Sequence, residues 1–253
     1  MRCVRFEEQG RARIGFIDGD VIRAVYGSID TYWRMTDEVF PLAGAKLLAP
    51  CVPKQIICVG FNYRDHAREF HVDVPKEPAL FTKAAHTVIG NDGKIIYPRQ
   101  SHEVVYEAEL GVVIKKRMKD VAPEDVPDYI LGYTCANDVT ARDLQLSDVQ
   151  WLGSKSFDTF CPLGPWLETD LDPTDLSIKL YLNGQLKQNG RTSDMVYNPY
   201  EILSYISQSM TLDAGDLILT GTPMGCGPML PGDEVVVEIE GIGKLRNEVV
   251  KGY

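Results

Sequence analysis

The chain is poor in features that mark several protein classes. No CxxC pair occurs: Cys3, Cys51, Cys58, Cys135, Cys161 and Cys226 are scattered, several in apolar runs such as Ile56-Ile57-Cys58-Val59. That pattern reads as unpaired, buried thiols in a reducing compartment. Basic charge is short, with 26 Lys+Arg against 36 Asp+Glu and a net charge of −10. Non-specific nucleic-acid binding therefore has no basic excess to draw on. An anionic substrate needs a locally positive site, either a metal or a few Arg and Lys. No run approaches the ~18 apolar residues of a membrane span, and the opening MRCVRFEEQG has no apolar h-region. No membrane partner is expected, and the cytoplasm is the expected location. Neither GxGxxG nor a P-loop opens a helix, no internal repeat or low-complexity segment occurs, and histidine is limited to His66, His71, His86 and His102.

What is present is an ordinary globular balance: 253 residues, 44% hydrophobic and 25% charged. Collagen-like, mucin-like and disordered classes drop out, and the length allows one large domain or a main domain with a small appendage. Strand signals dominate. Residues 12–26 read as a hairpin turning on Asp18-Gly19. Residues 28–37 read as a polar, helix-like stretch. Pro41, Pro50 and Pro53 then mark a boundary between a small N-terminal β domain (1–49) and a larger domain (50–253). Strands are expected at 55–60, 78–83, 108–116, 131–137, 177–182, 217–220 and 234–240, with hairpin turns at Asn183-Gly184 and at 241–243. The clearest helix starts at Asn198, with Pro199 in its first turn, Glu201 three residues after the cap and Ile202, Leu203, Tyr205 and Ile206 as its apolar face. The fold class is β-rich α+β, a mixed β-sandwich roll, rather than a Rossmann or barrel fold.

The most informative segment is YEAELGVVI (106–114). In a strand, Tyr106, Ala108, Leu110, Val112 and Ile114 form one apolar side, and Glu107 and Glu109 project together from the other, roughly 7 Å apart. They form either a solvent face or part of a hard-cation site. A second acid, Asp138, ends the apolar run LGYTCAN (131–137), ahead of an expected helix over 140–148. It is either that helix's N-cap or a third ligand, and three carboxylates with water suit Mg²⁺ or Mn²⁺ better than Zn²⁺. In GFNYRDHARE (60–69), Asn62 is placed to cap a short helix that sets His66 and Glu69 at i,i+3. A carboxylate there orients the imidazole and raises its basicity, as activating a water requires; a plain surface pair is the alternative. Lys155 stands among small and aromatic residues in WLGSKSFD (151–158), and the apolar run 217–219 opens into a Gly/Thr loop whose N–H groups and Thr222 hydroxyl suit an anion or carbonyl. A solvated lysine and an ordinary loop are the alternatives.

Together, GFNYRDHARE (60–69), YEAELGVVI (106–114), CANDVTARDLQ (135–145), KSFDTFCPLGPW (155–166), LNGQLKQNGRTSDM (182–195) and LTGTPMGCG (219–227) resemble the fumarylacetoacetate hydrolase family. The resemblance runs in order from Pro53 to nearly the end. The N-terminal unit looks like that of bacterial and archaeal hydroxyheptadienedioate isomerases. What the resemblance implies is a mixed β-sandwich roll, a homodimer, and Mg²⁺ or Mn²⁺ held by Glu107, Glu109 and Asp138. It further implies a water-activating His66–Glu69 dyad, an oxyanion-stabilising Lys155, and substrate contacts from Arg142, Gln145, Thr222 and Lys83. One local departure is Ser154, which stands directly before the lysine where the family often carries glycine.

The implied substrate is a small 2-oxo dicarboxylate handled through a metal-stabilised enolate. C–C hydrolysis of an acylpyruvate or fumarylpyruvate-type compound comes first. Hydroxyheptadienedioate isomerisation or oxaloacetate tautomerisation is an alternative, as is oxaloacetate decarboxylation. A metal-binding scaffold without turnover is the rival from another class. The charge-rich segment 61–74 is expected to act as a lid.

Overall fold

Short apolar alternations closed by Gly, Asn and Asp turns build the chain mainly into strands. The computed structural model describes residues 1–29 and 31–252. Its largest sheet runs, in spatial order, through Trp33–Pro41, Val21–Gly27, Arg11–Asp18, Arg2–Glu8, Cys161–Glu168, Ile130–Asn137, Ala108–Ile114, Leu217–Leu219, Ile56–Gly60 and Ala79–Lys83. A second sheet orders Gln185–Arg191, Ser177–Leu182, Glu234–Ile239, Gly243–Lys251 and Lys94–Tyr97. A third, small sheet joins Thr140–Ala141, Val104–Tyr106 and Gly227–Met229. The fold is the expected β-rich α+β type.

The main core lies where the two larger sheets face each other. Leu110, Val112 and Ile114 from the first sheet meet Ile178, Leu180, Val235, Val237 and Leu245 from the second. The alternate residues Val113, Leu217, Leu219 and Leu163 enter a separate apolar layer on the other face of the large sheet. With both faces covered, strand Ala108–Ile114 is buried at every position, so each of its large aliphatic side chains contributes roughly 1.5–3 kcal/mol. Helix Pro199–Ser209 covers part of the same core with Ile202, Leu203 and Ile206. Asn198 caps it, accepting bonds from the Tyr200 and Glu201 N–H groups, while Glu201 returns a bond to the Asn198 N–H.

Three local expectations change. Residues 33–41 form a strand, not a helix, because register Val25↔Met35 and Ile22↔Phe40 pairs them with Val21–Gly27; of the stretch 28–37, Asp30 lies outside the described residues. The helix foreseen over 140–148 shrinks to one turn, Arg142–Gln145, because Thr140–Ala141 is drawn into the small sheet. Helix Arg64–Glu69 takes Tyr63 as its N-cap, with no side-chain cap bond. Asn62 is used instead as a clamp: its amide donates to the Tyr197 and Thr220 carbonyls, and its Oδ1 accepts from the Tyr197 N–H.

Candidate active site

The candidate residues collect at one end of the large sheet because of its strand directions. Ala108–Ile114 starts there, and its antiparallel neighbours Ile130–Asn137 and Leu217–Leu219 end there. Ile56–Gly60, parallel to Leu217–Leu219, ends there too. Glu107 sits in the break between Val104–Tyr106 in the small sheet and Ala108–Ile114 in the large one. Its N–H donates to Asn137 Oδ1, and the Asp138 N–H donates to the Glu107 carbonyl. The two strand ends thus lock to each other and bring their acids together.

Glu107, Glu109 and Asp138 are all buried, and one carboxylate oxygen from each lies within 4.8 Å of the others. The solvent-face reading of the two glutamates and the helix-cap reading of Asp138 therefore fail. Lys155 Nζ bridges Glu107 Oε2 at 2.8 Å and Asp138 Oδ2 at 2.6 Å. Lys83 Nζ holds Asp138 Oδ1 at 2.6 Å, and Arg142 Nη2 holds Glu107 Oε1 at 2.6 Å. Glu109 receives only the Gly221 N–H, at 2.7 Å. Gly221 makes that approach with φ +97°, where a Cβ would lie 2.8 Å from Asn62 Cβ, so the position requires glycine.

These contacts set the electrostatics. Burial opposes ionisation of Glu107, but the Lys155 and Arg142 charges overcome it and hold the carboxyl down to about 2. Glu109 has no such partner: burial, then the Asp138 and Glu107 charges, push its carboxyl well above the usual range. Burial also works against the Lys155 ammonium, yet Asp138 and Glu107 raise its pKa above the ordinary lysine value. Three buried carboxylates with an ammonium wedged between two of them fit a hard divalent cation. The donors are all oxygen, and Glu109 needs positive charge to ionise.

Next to the acids, His66 Nδ1 lies 3.2 Å from Glu69 Oε2. The ring stacks against Phe61 at 5.8 Å and meets Phe70 edge-on at 4.9 Å. Phe70 also lies 4.8 Å under the Arg142 guanidinium. A narrow cleft of about 20 Å³ opens here, lined by His66, Glu107, Glu109, Arg142, Gln145, Lys155 and Thr222 together with Phe61, Phe81 and Trp151. Arg142 Nη1 donates to Gln145 Oε1.

Lys83 is brought to the cluster but not to the cleft: it is 1% exposed, spent on Asp138 and on the Val139 carbonyl. The lid expected over 61–74 is narrowed. Asn62 is clamped, Tyr63 and Ala67 are buried, and the Gly225 N–H donates to Glu69, so only the part beyond Glu69 is free of these ties. Ser154 fits where the family often has glycine, because its N–H donates to Asp148 Oδ2 and its hydroxyl to the Trp151 carbonyl.

Two residues went unnoticed in the sequence. Gln188 is fully buried on an otherwise exposed strand, where it accepts from the Ala108 N–H and donates to Thr222 Oγ1 and the Pro223 carbonyl. It ties the strand carrying Glu109 to the Thr222 loop, and no periodicity marks it. Cys226, taken for a buried thiol, is the one cysteine that is only partly buried, and its Sγ lies 3.5 Å from Arg142 Nη2.

The family model described as fumarylacetoacetate (FAA) hydrolase C-terminal matches residues 55–250, and one described as Rv2993c-like, N-terminal, matches residues 1–50. An uncharacterized protein of Archaeoglobus fulgidus is 52% identical over 211 residues, covering 83% of this chain and 84% of that protein. Oxaloacetate tautomerase FAHD2B, mitochondrial, of Bos taurus is 42% identical over 260 residues, covering 98% of this chain and 79% of that protein. Among solved structures, 2-hydroxyhepta-2,4-diene-1,7-dioate isomerase from Mycobacterium marinum superposes with TM-score 0.92 at 41% identity, covering 99% of this chain and 98% of its own. Maleylpyruvate hydrolase from Sphingobium sp. SYK-6, in complex with manganese(II) and pyruvate, gives TM-score 0.82 at 30% identity and covers both chains fully, 100% each. No helix among the described residues is long and apolar enough to cross a membrane.

Proposed function

The chain belongs to the fumarylacetoacetate hydrolase family, and from that premise we propose a divalent-metal-dependent enzyme that moves a proton next to the keto group of a small 2-oxo dicarboxylate. The reaction class is enol–keto tautomerisation or isomerisation, with an oxaloacetate-like substrate. The observation that carries the reading is the charge composition of the cluster. Glu107, Glu109 and Asp138 are balanced by Lys83, Lys155 and Arg142, so one Mg²⁺ or Mn²⁺ leaves an excess of two positive charges. A dianionic 2-oxo acid cancels that excess, which explains how a chain of net charge −10 holds such a substrate.

Glu107, Glu109 and Asp138 hold the ion in this reading. When bound, it supplies Lewis acidity toward the substrate's carboxylate and keto oxygens. The chain's own residues do the rest. Glu69 fixes the proton of the His66 ring at Nδ1, leaving Nε2 to take a proton from carbon and return it. The Lys155 ammonium donates to the oxygen on which negative charge develops. Arg142 and Gln145 receive the distal carboxylate, and the Thr222 hydroxyl, oriented by Gln188, meets a substrate oxygen. Lys83 neutralises Asp138 from behind and touches no substrate. Phe61, Phe81 and Trp151 limit water at the cleft. A homodimer in the cytoplasm is part of the same proposal.

Proton movement comes ahead of bond cleavage because the nearly full-length tautomerase and isomerase relatives are 42% and 41% identical, against 36% for a fumarylacetoacetate hydrolase from Exiguobacterium antarcticum and 30% for the maleylpyruvate hydrolase. A second reading, C–C hydrolysis of an acylpyruvate, is favoured by the Nδ1–carboxylate contact of His66, since the same Nε2 base activates a water. Proton NMR in D₂O with Mg²⁺ separates them, offering oxaloacetate, an acylpyruvate and a hydroxy-dienedioate in turn. The first reading predicts accelerated enol–keto exchange, read as deuterium entering beside the keto group, with no pyruvate released. Pyruvate from the acylpyruvate would establish hydrolysis instead. Pyruvate and CO₂ from oxaloacetate would establish decarboxylation, and no turnover of any of them would leave a metal-binding scaffold.

A further inference from the structure

Beside the carboxylate cluster a second group of donors converges. Helix Arg64–Glu69 supplies His66 and Glu69, and the loop after Leu217–Leu219 supplies Cys226. One donor atom from each lies within 4.8 Å of the others. His66 Nδ1 is 3.2 Å from Glu69 Oε2, and Cys226 Sγ is 3.9 Å from the same oxygen. The loop is tied to the helix by the Gly225 N–H, which lies 3.1 and 3.3 Å from the two Glu69 oxygens.

The chemistry of this group differs from that of its neighbour. Glu107, Glu109 and Asp138 offer only oxygen, which suits hard cations; imidazole nitrogen, thiolate sulfur and one carboxylate suit Zn²⁺ or Co²⁺. In a tetrahedral zinc site with bonds of about 2.0–2.3 Å, neighbouring ligand atoms stand roughly 3.3–3.8 Å apart. The separations of 3.2 and 3.9 Å fall on either side of that range, and the third pair lies within 4.8 Å, so the three side chains stand within about an ångström of a tetrahedral arrangement.

We propose that His66, Glu69 and Cys226 form a second, thiophilic divalent-cation site, distinct from the carboxylate site, that takes Zn²⁺ or Co²⁺. Binding involves no redox change. The Cys226 thiol releases its proton to solvent as Sγ bonds the ion, His66 Nδ1 gives its ring lone pair, Glu69 gives a carboxylate oxygen, and water completes the set. Coordination at Nδ1 moves the remaining ring proton to Nε2, which then has no lone pair to accept another. The site is therefore inhibitory, and that consequence rests on the role proposed above for His66.

The test titrates Co²⁺ into the whole chain with Mg²⁺ in excess to fill the carboxylates, following the near-ultraviolet thiolate-to-cobalt charge-transfer band and turnover together. Five of the six cysteines are buried, so a band from folded protein reports Cys226. The band is expected to grow to one equivalent, to vanish on adding Zn²⁺, and to be missing in Cys226→Ser. Unchanged Mn²⁺ affinity in that variant shows that it folds. A missing band in the native chain, or one retained in Cys226→Ser, overturns the site. A full band with undiminished turnover keeps the site and overturns the role of His66 as proton carrier.

Discussion

Two groups of side chains meet at the cleft, and they are built differently. Glu107, Glu109 and Asp138 stand on the ends of paired strands, at most 4% exposed, with Lys155, Lys83 and Arg142 already on them. His66 and Glu69 ride on a helix of six residues that has no side-chain cap, and the Glu69 side chain is 28% exposed. The first group is fixed by ladder bonds and mutual charge, so its geometry exists before any ligand arrives. The second is held by the Asn62 clamp, the Gly225 contact and the packing of the His66 ring against Phe61 and Phe70. That contrast fits the proposed roles, in which the strand ends bind the ion and the helix moves the proton.

The largest effect is expected at the strand ends. Glu107→Ala leaves Lys155 and Arg142 as buried charges short of a partner, so the chain should lose about 3–5 kcal/mol of stability, read by urea unfolding. Next, His66→Ala should cut turnover ~10²–10⁴-fold while leaving the unfolding midpoint near that of the native chain. A comparable loss of stability there would erase the distinction between the two groups. Lys155→Met should sharpen it in the opposite direction. The lysine ammonium occupies the space between Glu107 and Asp138, so removing that like charge should tighten Mn²⁺ binding by about 10-fold or more in calorimetry while turnover is lost.

A smaller effect follows from the carboxylates' opposite shifts. Glu107, held down to about 2, contributes stability that is present above 4.5 and lost as pH falls toward 2. Glu109 is raised, so its contribution is present below 4.5 and lost as pH rises. A divalent ion requires Glu109 ionised, so the stabilisation by Mn²⁺ should grow as pH rises above 4.5. Thermal melts with Mn²⁺ and with chelator check this, and a larger effect at the acid end would contradict it.

Much of this was legible in the sequence, for identifiable reasons. Acids that interrupt or end apolar runs, as Glu107, Glu109 and Asp138 do, are costly unless paired, so pattern alone singled them out. The i,i+3 spacing of His66 and Glu69 survives in a helix of any length. The helix expected over 28–37 failed because Met35 and Phe40 obey a strand register set by a distant partner, Val21–Gly27. Lys83 was placed at the substrate by the resemblance alone, and its ammonium is spent on Asp138 and the Val139 carbonyl. Gln188 and Cys226 were missed because their importance lies wholly in tertiary contacts, with Thr222 in one case and Glu69 in the other.

The most direct test of the division is a parallel Mn²⁺ calorimetric titration of the native chain, Glu109→Gln and His66→Ala. Glu109→Gln keeps the side chain's shape and an oxygen to accept the Gly221 N–H, so the variant should fold. The account predicts that Glu109→Gln loses tight Mn²⁺ binding and that His66→Ala binds as the native chain does. Retained affinity in Glu109→Gln, or lost affinity in His66→Ala, would contradict it.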